Sequence, residues 1–312
     1  MVLENEKPQR TSAEIMRIAN TKGIAVPAFN IPYLPMMEPV TRAIVDMDAF
    51  SLVEVARVEW EKFESKSPQA VIEEFFKWHN PDHMRNHLDH IPVIDEDGKR
   101  VDYLSIIKEA ISLGYQSVMV DGSRLSLEEN ISATREVVEV AHQSNVACEA
   151  ELGAVMGHES GPLPPYEELF QSGKGFTDLN EARRFVLETE CDWLSVAIGN
   201  IHGRISKAKR DEKKVQARLD LDHLEKLARI TKVPLVLHGG SGIQQAFILE
   251  STRRGITKIN IGTEIRQSYE TALKSTGDVE SAQQAVYDRT CWTIRDYLKL
   301  EGSQSELKGD EA

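Results

Sequence analysis

The chain has 312 residues and a formal net charge of −13, with 41% hydrophobic and 28% charged residues. This composition is typical of a globular protein, and the acidic excess disfavours nucleic acid and anionic membranes as partners. No apolar run approaches the thickness of a bilayer, and the first residues lack the pattern of a secretion signal. Cys148, Cys191 and Cys291 lie far apart, so we expect a reduced, cytoplasmic protein without a structural zinc cluster.

Strand-like and helix-like stretches alternate along the chain. The strand candidates are residues 24–31, 51–58, 84–90, 117–123, 147–153, 193–199, 233–239 and 256–262. Amphipathic helix candidates lie between them, for example at 127–143 and 219–231. Eight alternating units predict a closed (β/α)8 TIM barrel, a single domain over residues 1–312 with extra C-terminal helices from 279 to 300. An open, doubly wound α/β sheet is the alternative, and residues 302–312 are expected to form a flexible tail.

Two connections are longer than a plain barrel requires, at residues 154–177 and 204–220. They follow the fifth and sixth predicted strands, and so leave the strand ends where barrel active sites are built. Loops of this length are usually lids or binding segments. We therefore expect both connections to contribute to a binding site.

Chemically active side chains collect at the carboxyl ends of the predicted strands. His90, His202 and His238 lie at the ends of strands three, six and seven, with carboxylates beside them. One such histidine is more often structural, but three on one rim indicate a catalytic zinc site with an open coordination position. Lys258 lies within the eighth strand without an apolar setting that would lower its pKa. A metal Lewis acid is therefore favoured over a Schiff-base lysine.

A glycine-rich turn follows the seventh strand. Gly239, Gly240 and Gly242 interrupt the chain between that strand and the next helix. Glycine lets a ligand approach the backbone closely, and the amides that open a helix attract anions. The turn is therefore a candidate phosphate cradle beside His238, although an ordinary tight turn gives the same pattern.

Several motifs occur together in one order along roughly residues 20–270. They are Ala28-Phe29-Asn30, His87-Leu88-Asp89-His90, Asp121-Gly122-Ser123, Glu149-Ala150-Glu151-Leu152-Gly153, His202-Gly203, His238-Gly239-Gly240-Ser241-Gly242 and Lys258-Ile259-Asn260-Ile261. Through these motifs the chain resembles the class II, metal-dependent ketose-phosphate aldolases, which include the fructose- and tagatose-bisphosphate aldolases. The resemblance implies that His90, His202 and His238 bind one catalytic Zn²⁺. It also makes Asp89 the acid or base for a hydroxyl of the aldehyde-derived half, and Glu159 the residue that moves a proton on the ketone half.

The same resemblance assigns further positions. Asp121 and Glu151 correspond to an alternative or second divalent metal site. The positions that would hold dihydroxyacetone phosphate, with a monovalent cation (Na⁺ or K⁺) bound nearby, are Asn30, Gly203, Gly239, Gly240, Ser241, Asn260, Ile261, Gly262 and Thr263.

The implied activity is the reversible cleavage of a ketose 1-phosphate, such as fructose 1,6-bisphosphate, into dihydroxyacetone phosphate and an aldehyde through a zinc-stabilised enediolate. Family members are usually dimers or tetramers, so a homodimer or homotetramer is expected. Tagatose bisphosphate and a carboxylated or sulfonated sugar phosphate are alternative substrates. A catalytically silent barrel and a zinc hydrolase are the alternatives from other functional classes.

The chain departs from the family at two arginines and one segment. Arg57 ends the second strand where the family has a phosphate-binding serine nearby, and Arg124 replaces a histidine after the fourth strand. Residues 91–100 replace a short glycine turn. Arginine binds phosphate, carboxylate or sulfonate through planar, bidentate contacts. Arg57 or Arg124 therefore either binds an anionic terminus of the substrate or forms a surface ion pair, and the sequence leaves both interpretations open.

Overall fold

The computed structural model describes residues 10–153, 166–200 and 217–308. Within these ranges eight strands close into a barrel in chain order, and each strand is parallel to both neighbours. The strands are β1 (Val26–Asn30), β2 (Ser51–Ala56), β3 (Met84–Pro92), β4 (Ser117–Asp121), β5 (Ala147–Leu152), β6 (Trp193–Val196), β7 (Leu235–Leu237) and β8 (Ile256–Ile261). The predicted (β/α)8 barrel is confirmed, and every strand overlaps its predicted range.

Helices alternate with the strands. They are α1 (Ser12–Lys22), α2 (Met37–Asp46), α3 (Arg57–Lys62), α4 (Pro68–Trp78), α5 (Tyr103–Leu113), α6 (Leu127–Gln143), α7 (Tyr166–Ser172), α8 (Leu179–Thr189), α9 (Leu221–Thr231), α10 (Gln245–Arg253), α11 (Thr263–Thr276), α12 (Val279–Trp292) and α13 (Ser303–Lys308), with a short 3₁₀ turn at Leu34–Met36. None of the helices in the described ranges combines the length and the apolar character that crossing a bilayer needs.

Capping side chains fix where helices begin. The Ser126 hydroxyl accepts the amide of Glu129, and the Glu129 carboxylate accepts the amide of Ser126, so α6 begins just after this pair. The carboxylate of Asp220 accepts the His223 amide at 2.9 Å. This cap starts α9 at Leu221, two residues later than the predicted 219.

The barrel strands are buried on both faces, as expected for parallel strands covered by helices. Side chains two residues apart on a strand share a face. Glu149 and Glu151 of β5 therefore lie on one face, as do Lys258 and Asn260 of β8. This repeat stacks ionisable side chains in successive layers of the barrel.

An irregularity in β3 places the first of the metal-ligand candidates. The pairing of β3 with β4 shifts register between Leu88 and Ile91, and His90 within this shift has a φ of 30°. A bulge of this kind re-aims a side chain at the end of a strand. His90 is thereby turned away from the regular alternation of β3.

The C-terminal region differs from the sequence-based expectation. In place of one helix predicted at 279–300, the α-helix α12 ends at Trp292, and a π-helix follows over Thr293–Tyr297. The flexible tail predicted from residue 302 does not hold for residues 303–308, which form α13. Leu307 of this helix is 3% exposed and packs in a cluster with residues of α1, so apolar contact orders the segment.

Candidate metal centre and active site

Two histidines from separate strands meet at the carboxyl end of the barrel. His90 Nε2 lies 2.6 Å from His238 Nδ1. Ligand atoms of Asp89, His90 and His238 all lie within 4.8 Å of one another. His202, the third predicted ligand, lies outside the described residues, as do Glu159 and Gly203. His90 and His238 are the two predicted zinc ligands in the described ranges, and the structure brings them together beside Asp89, the predicted acid–base residue.

Each of the two histidines is held through its other ring nitrogen by a carboxylate. His90 Nδ1 lies 3.3 Å from Asp121 Oδ2, and His238 Nε2 lies 2.7 Å from Glu149 Oε1. When these carboxylates accept N–H groups, the nitrogens that face each other both present lone pairs. A cation between them resolves that repulsion, whether it is the proton of a charged His90 or a metal ion as in carboxylate–histidine–metal arrangements. The donor set therefore fits a divalent metal ion.

The electrostatic surroundings also favour a cation at this point. Burial would lower the pKa of His90, but Asp89, Asp121 and Glu151 raise it well above its usual range. Burial and the neighbouring His90 lower the pKa of His238, which keeps this imidazole neutral. Neutral imidazole is the form that binds metals. The carboxylates around His90 thus favour a positive charge beside the neutral imidazole of His238.

A second group of donors overlaps the first. Ligand atoms of His90, Asp121 and Glu151 lie within 4.8 Å of one another. The Asp121 carboxylate accepts the Ser123 hydroxyl at 2.6 Å, and Glu151 Oε2 accepts the Ser195 hydroxyl at 3.2 Å. Because His90 belongs to both groups, the two predicted metal positions adjoin each other.

Asp89 is fixed by two side-chain amides. Asn30 Nδ2 donates to one carboxylate oxygen at 3.0 Å, and Asn260 Nδ2 donates to the other at 3.1 Å. Burial would raise the pKa of Asp89, but the charges of His90 and Lys258 lower it to about 2. Asp89 is therefore an ionised carboxylate with a fixed orientation. Two residues expected to contact substrate thus position this carboxylate in the structure.

A fully buried ionic cluster lies beneath these groups, and sequence reasoning did not identify it. Glu149 accepts the Trp193 indole N–H at 2.6 Å and the Lys258 ammonium at 2.8 Å. Lys258 Nζ also lies 3.1 Å from Glu54 Oε2, and His87 Nε2 lies 3.4 Å from Glu149 Oε2. The signal available was spacing, since Glu149 and Lys258 each precede a predicted site residue by two positions on a strand.

The structure shows which groups surround Lys258. This lysine is fully buried, yet carboxylates rather than apolar groups surround its ammonium. Burial would lower the pKa of Lys258, but Glu149 and Glu54 raise it above its usual range. A permanently protonated amine is no nucleophile, which supports the argument against a Schiff base.

The predicted phosphate cradle is a compact turn joined to the end of β8. Gly239 has a φ of 69°, and a Cβ on Gly240 would lie 2.6 Å from the Ile259 side chain. The Gly240 amide donates to the Asn260 carbonyl at 3.2 Å. This amide is therefore engaged within the protein, and the next residue along the chain, Ser241, is buried.

The end of β8 supplies the remaining predicted phosphate contacts. Ile261 is fully buried, and Gly262 precedes α11, which begins at Thr263. A Cβ on Gly262 would lie 3.0 Å from Asn30 Oδ1, so glycine allows the Asn30 side chain to pass close to the backbone. Gly262 adjoins Asn30 and Ile261 follows Asn260, and both asparagines donate to Asp89.

The two unusual arginines converge on one residue of the atypical segment. Arg57 Nη1 lies 3.6 Å from Asp95 Oδ2, and Arg124 Nη1 donates to the Asp95 carbonyl at 2.9 Å. Asp95 Oδ1 also accepts the amides of Asp97 and Lys99, which closes a small hairpin. The ion-pair interpretation thus has a direct structural basis for Arg57, and substrate binding by either arginine stays a prediction.

Comparison with known proteins identifies the family. Residues 10–304 match the family model of class II fructose-bisphosphate aldolase. The chain belongs to this family. It is 40% identical over 181 residues to fructose-bisphosphate aldolases of Streptococcus pyogenes, covering 58% of this chain and 56% of each relative. The match therefore spans little more than half the length of these relatives.

Solved structures of family members share the fold over almost the whole chain. The YdjI aldolase from Escherichia coli K12 superposes with a TM-score of 0.73 at 27% identity, covering 94% of this chain and 98% of that one. A putative fructose-1,6-bisphosphate aldolase from Coccidioides immitis gives 0.74 at 24% identity, covering 96% and 99%. The second likeness is one of fold alone.

Proposed function

We propose that the protein is a class II aldolase that reversibly cleaves a ketose 1-phosphate into dihydroxyacetone phosphate and an aldehyde. The observation that carries this proposal is the convergence of His90 Nε2 and His238 Nδ1 beside the ionised Asp89. Membership of the family supports the same reaction. We also propose a cytoplasmic location, since all three cysteines are free and buried, and a homodimeric or homotetrameric assembly on family grounds.

The metal in this proposal is Zn²⁺, held by His90, His238 and His202. His202 follows Asn200 by two residues, and Asn200 Nδ2 donates to the His238 carbonyl at 3.0 Å, which supports its inclusion. A bound zinc ion would supply Lewis-acid stabilisation of the charge that develops on the substrate oxygens. Asp121 and Glu151 would hold a second or alternative divalent ion, and a monovalent cation would bind near the phosphate.

The protein's own groups would perform the proton transfers. Asp89 is positioned to accept the hydroxyl proton of the aldehyde-derived half as the carbon–carbon bond breaks, because both of its oxygens are oriented by amides. Glu159 is proposed to exchange a proton with the ketone half. Gly203, together with the loop residues after β7 and β8, would hold the phosphate through backbone amides.

Cleavage assays on Asp89→Asn test this proposal. We expect kcat to fall about 10²- to 10⁴-fold, the usual contribution of a positioned acid–base group, while zinc content is retained. Asp192→Asn is the control, since Asp192 directly precedes β6 at the other end of the barrel and accepts the Cys148 amide. Loss of zinc in Asp89→Asn would make Asp89 a group that orients a ligand. A wild-type protein that is metal-free and inert would support the silent barrel.

The aldehyde half and its anionic terminus are the finer part of the proposal. Fructose 1,6-bisphosphate is the first substrate to test, followed by tagatose bisphosphate and carboxylated or sulfonated ketose phosphates. Arg57→Ala and Arg124→Ala should each raise KM for the preferred substrate if the arginine binds its terminus. Unchanged KM values for every substrate would show that both arginines only stabilise the Asp95 hairpin.

A further inference from the structure

The turn after β7 is tied to a segment of chain that lies beyond the eighth barrel unit. The Tyr297 hydroxyl lies 3.0 Å from the Gly240 carbonyl and 2.6 Å from the Ile243 carbonyl. Tyr297 is the last residue of the π-helix and is 6% exposed. A single buried hydroxyl thus contacts both ends of the turn that is proposed to bind phosphate.

A second tie acts on the same pair of segments. Gln245, the first residue of α10, donates from its side-chain amide to the carbonyls of Asp296 and Tyr297. Hydrogen bonds from Tyr297 and from Gln245 therefore both connect the turn and α10 to the π-helix. This fastening is independent of the barrel pairing, since it joins β7 and α10 to residues that follow α12.

The π-helix explains why Tyr297 reaches the turn. Leu298 N–H donates to the Thr293 carbonyl at 2.8 Å, a bond across five residues. The wider turn places Trp292 and Tyr297, also five residues apart, in a stack with ring centroids 5.7 Å apart and an interplanar angle of 13°. The stacked indole supports the phenol ring while its hydroxyl points at the turn.

Through the geometry of the peptide unit, the contacts of the Tyr297 hydroxyl with two carbonyls also orient the N–H groups that follow them. In a trans peptide the carbonyl of one residue and the N–H of the next point in opposite directions. A Gly240 carbonyl held toward Tyr297 therefore directs the Ser241 N–H away from it, and the Ile243 carbonyl fixes the Gln244 N–H in the same manner. Gly239 and Gly242 both have positive φ, and the Gly240 carbonyl accepts the Ile243 amide at 3.5 Å, a longer contact than the 3.0 Å to the Tyr297 hydroxyl.

We infer that Tyr297 is a positioning residue for phosphate binding, because its contacts with the Gly240 and Ile243 carbonyls set the orientation of the Ser241 and Gln244 amides. This inference rests on the proposed function, in which that turn holds the phosphate of the substrate. Tyr297 would act on binding of the phosphate rather than on proton transfer at Asp89.

Tyr297→Phe tests the inference in the zinc-loaded protein. We expect the dissociation constant of inorganic phosphate and KM of the ketose phosphate to rise about three- to tenfold, the effect of losing one hydrogen bond. The value of kcat should stay within about twofold, since Asp89 and the histidines are untouched. Tyr115→Phe is the matched control, because Tyr115 is 2% exposed and donates to the Pro68 carbonyl at 2.9 Å.

Further outcomes separate the inference from the proposed function. A wild-type protein that binds phosphate but cleaves no ketose phosphate would refute the aldolase proposal, and the phosphate constants of the two variants would still decide the role of Tyr297. Unchanged constants in Tyr297→Phe, or no phosphate binding by the wild type, would overturn the inference. If Tyr297→Phe does not fold, Gln245→Ala removes the second tie, and weaker phosphate binding is again expected.

Discussion

The outer and inner layers of ionisable side chains in the barrel differ in what they can bind. The outer layer consists of Asp89, His90, Asp121, Glu151 and His238. The inner layer consists of Glu54, His87, Glu149 and Lys258, all at most 1% exposed. The outer layer contains two groups of donors that could hold a metal ion. Glu54 and His87 form a third such group with Asp89, but the inner layer already contains a cation, the Lys258 ammonium. The inner layer thus has a permanent cation of its own, and the outer layer is the candidate site for a metal ion.

The charge states of the two layers follow from this arrangement. Burial would raise the pKa of Glu149, but Lys258 and His238 lower it well below its usual range, so it is ionised. Burial and the nearby Asp89 raise the pKa of Glu54 well above its usual range, so it is protonated. The inner layer is therefore close to neutral, while Asp89 and Asp121 keep the outer layer anionic. The inner layer supports the outer through Glu149, which contacts His238.

Removal of the inner cation should have the largest effect on stability. Lys258→Met leaves the buried Glu149 carboxylate without its counter-ion, which should lower the free energy of unfolding by about 3–5 kcal/mol. Denaturant unfolding of the metal-free protein measures this change. In the double variant Lys258→Met/Glu149→Gln the loss should be smaller than the sum of the single losses, since no uncompensated charge remains. Strict additivity would contradict the coupling of the two residues.

A carboxyl beside the outer layer should make stability depend on pH. Glu59 accepts the Ala56 amide at 2.8 Å, and burial, with a further contribution from Asp89, raises its pKa from 4.5 to about 8. The protonated form is thus favoured by folding, and its stabilising contribution is complete below pH 4.5 and is lost as pH rises through 8. Relative to Glu59→Gln, the wild type should lose about 2–4 kcal/mol of unfolding free energy between pH 5 and 8.5.

The paired unfolding curves of the wild type and Glu59→Gln provide the check. Other buried groups titrate equally in both proteins, so the difference between the two free energies isolates Glu59. A difference that stays constant across this pH range would show that Glu59 is ionised at neutral pH in the folded protein.

Loss of the carboxylate that holds His238 should weaken metal binding more modestly. Glu149→Gln should reduce zinc affinity about 10- to 100-fold, the typical effect of removing a group that orients a metal-binding histidine. Glu54→Gln is the matched control, since Glu54 is equally buried and contacts Lys258, whereas Glu149 is the carboxylate that lies 2.7 Å from His238 Nε2. Equal zinc affinities for both variants, measured by competition with a chelating dye, would remove the distinction between the layers.

The outer layer could be predicted from sequence because its residues lie at the ends of recognisable strands. The barrel, His90 and His238 followed from apolar runs and the polar residues that close them, and the role of Asp89 followed from the family resemblance. The inner layer was missed because a glutamate or lysine within a strand carries no sign of its partners, which arrive from other strands through barrel closure. The contacts of Arg57 and Arg124 with Asp95 and the contacts of Tyr297 with the turn after β7 depend in the same way on long-range proximity that local spacing does not encode.

Crystals soaked with zinc and recorded at the zinc absorption edge test the metal centre most directly. We predict one anomalous peak about 2.0–2.1 Å from both His90 Nε2 and His238 Nδ1. Chelator treatment should remove this peak together with cleavage of the ketose phosphate, and added zinc should restore both. Cleavage that persists without the peak, or a zinc ion bound away from both histidines, would contradict a metal-dependent reaction at this site.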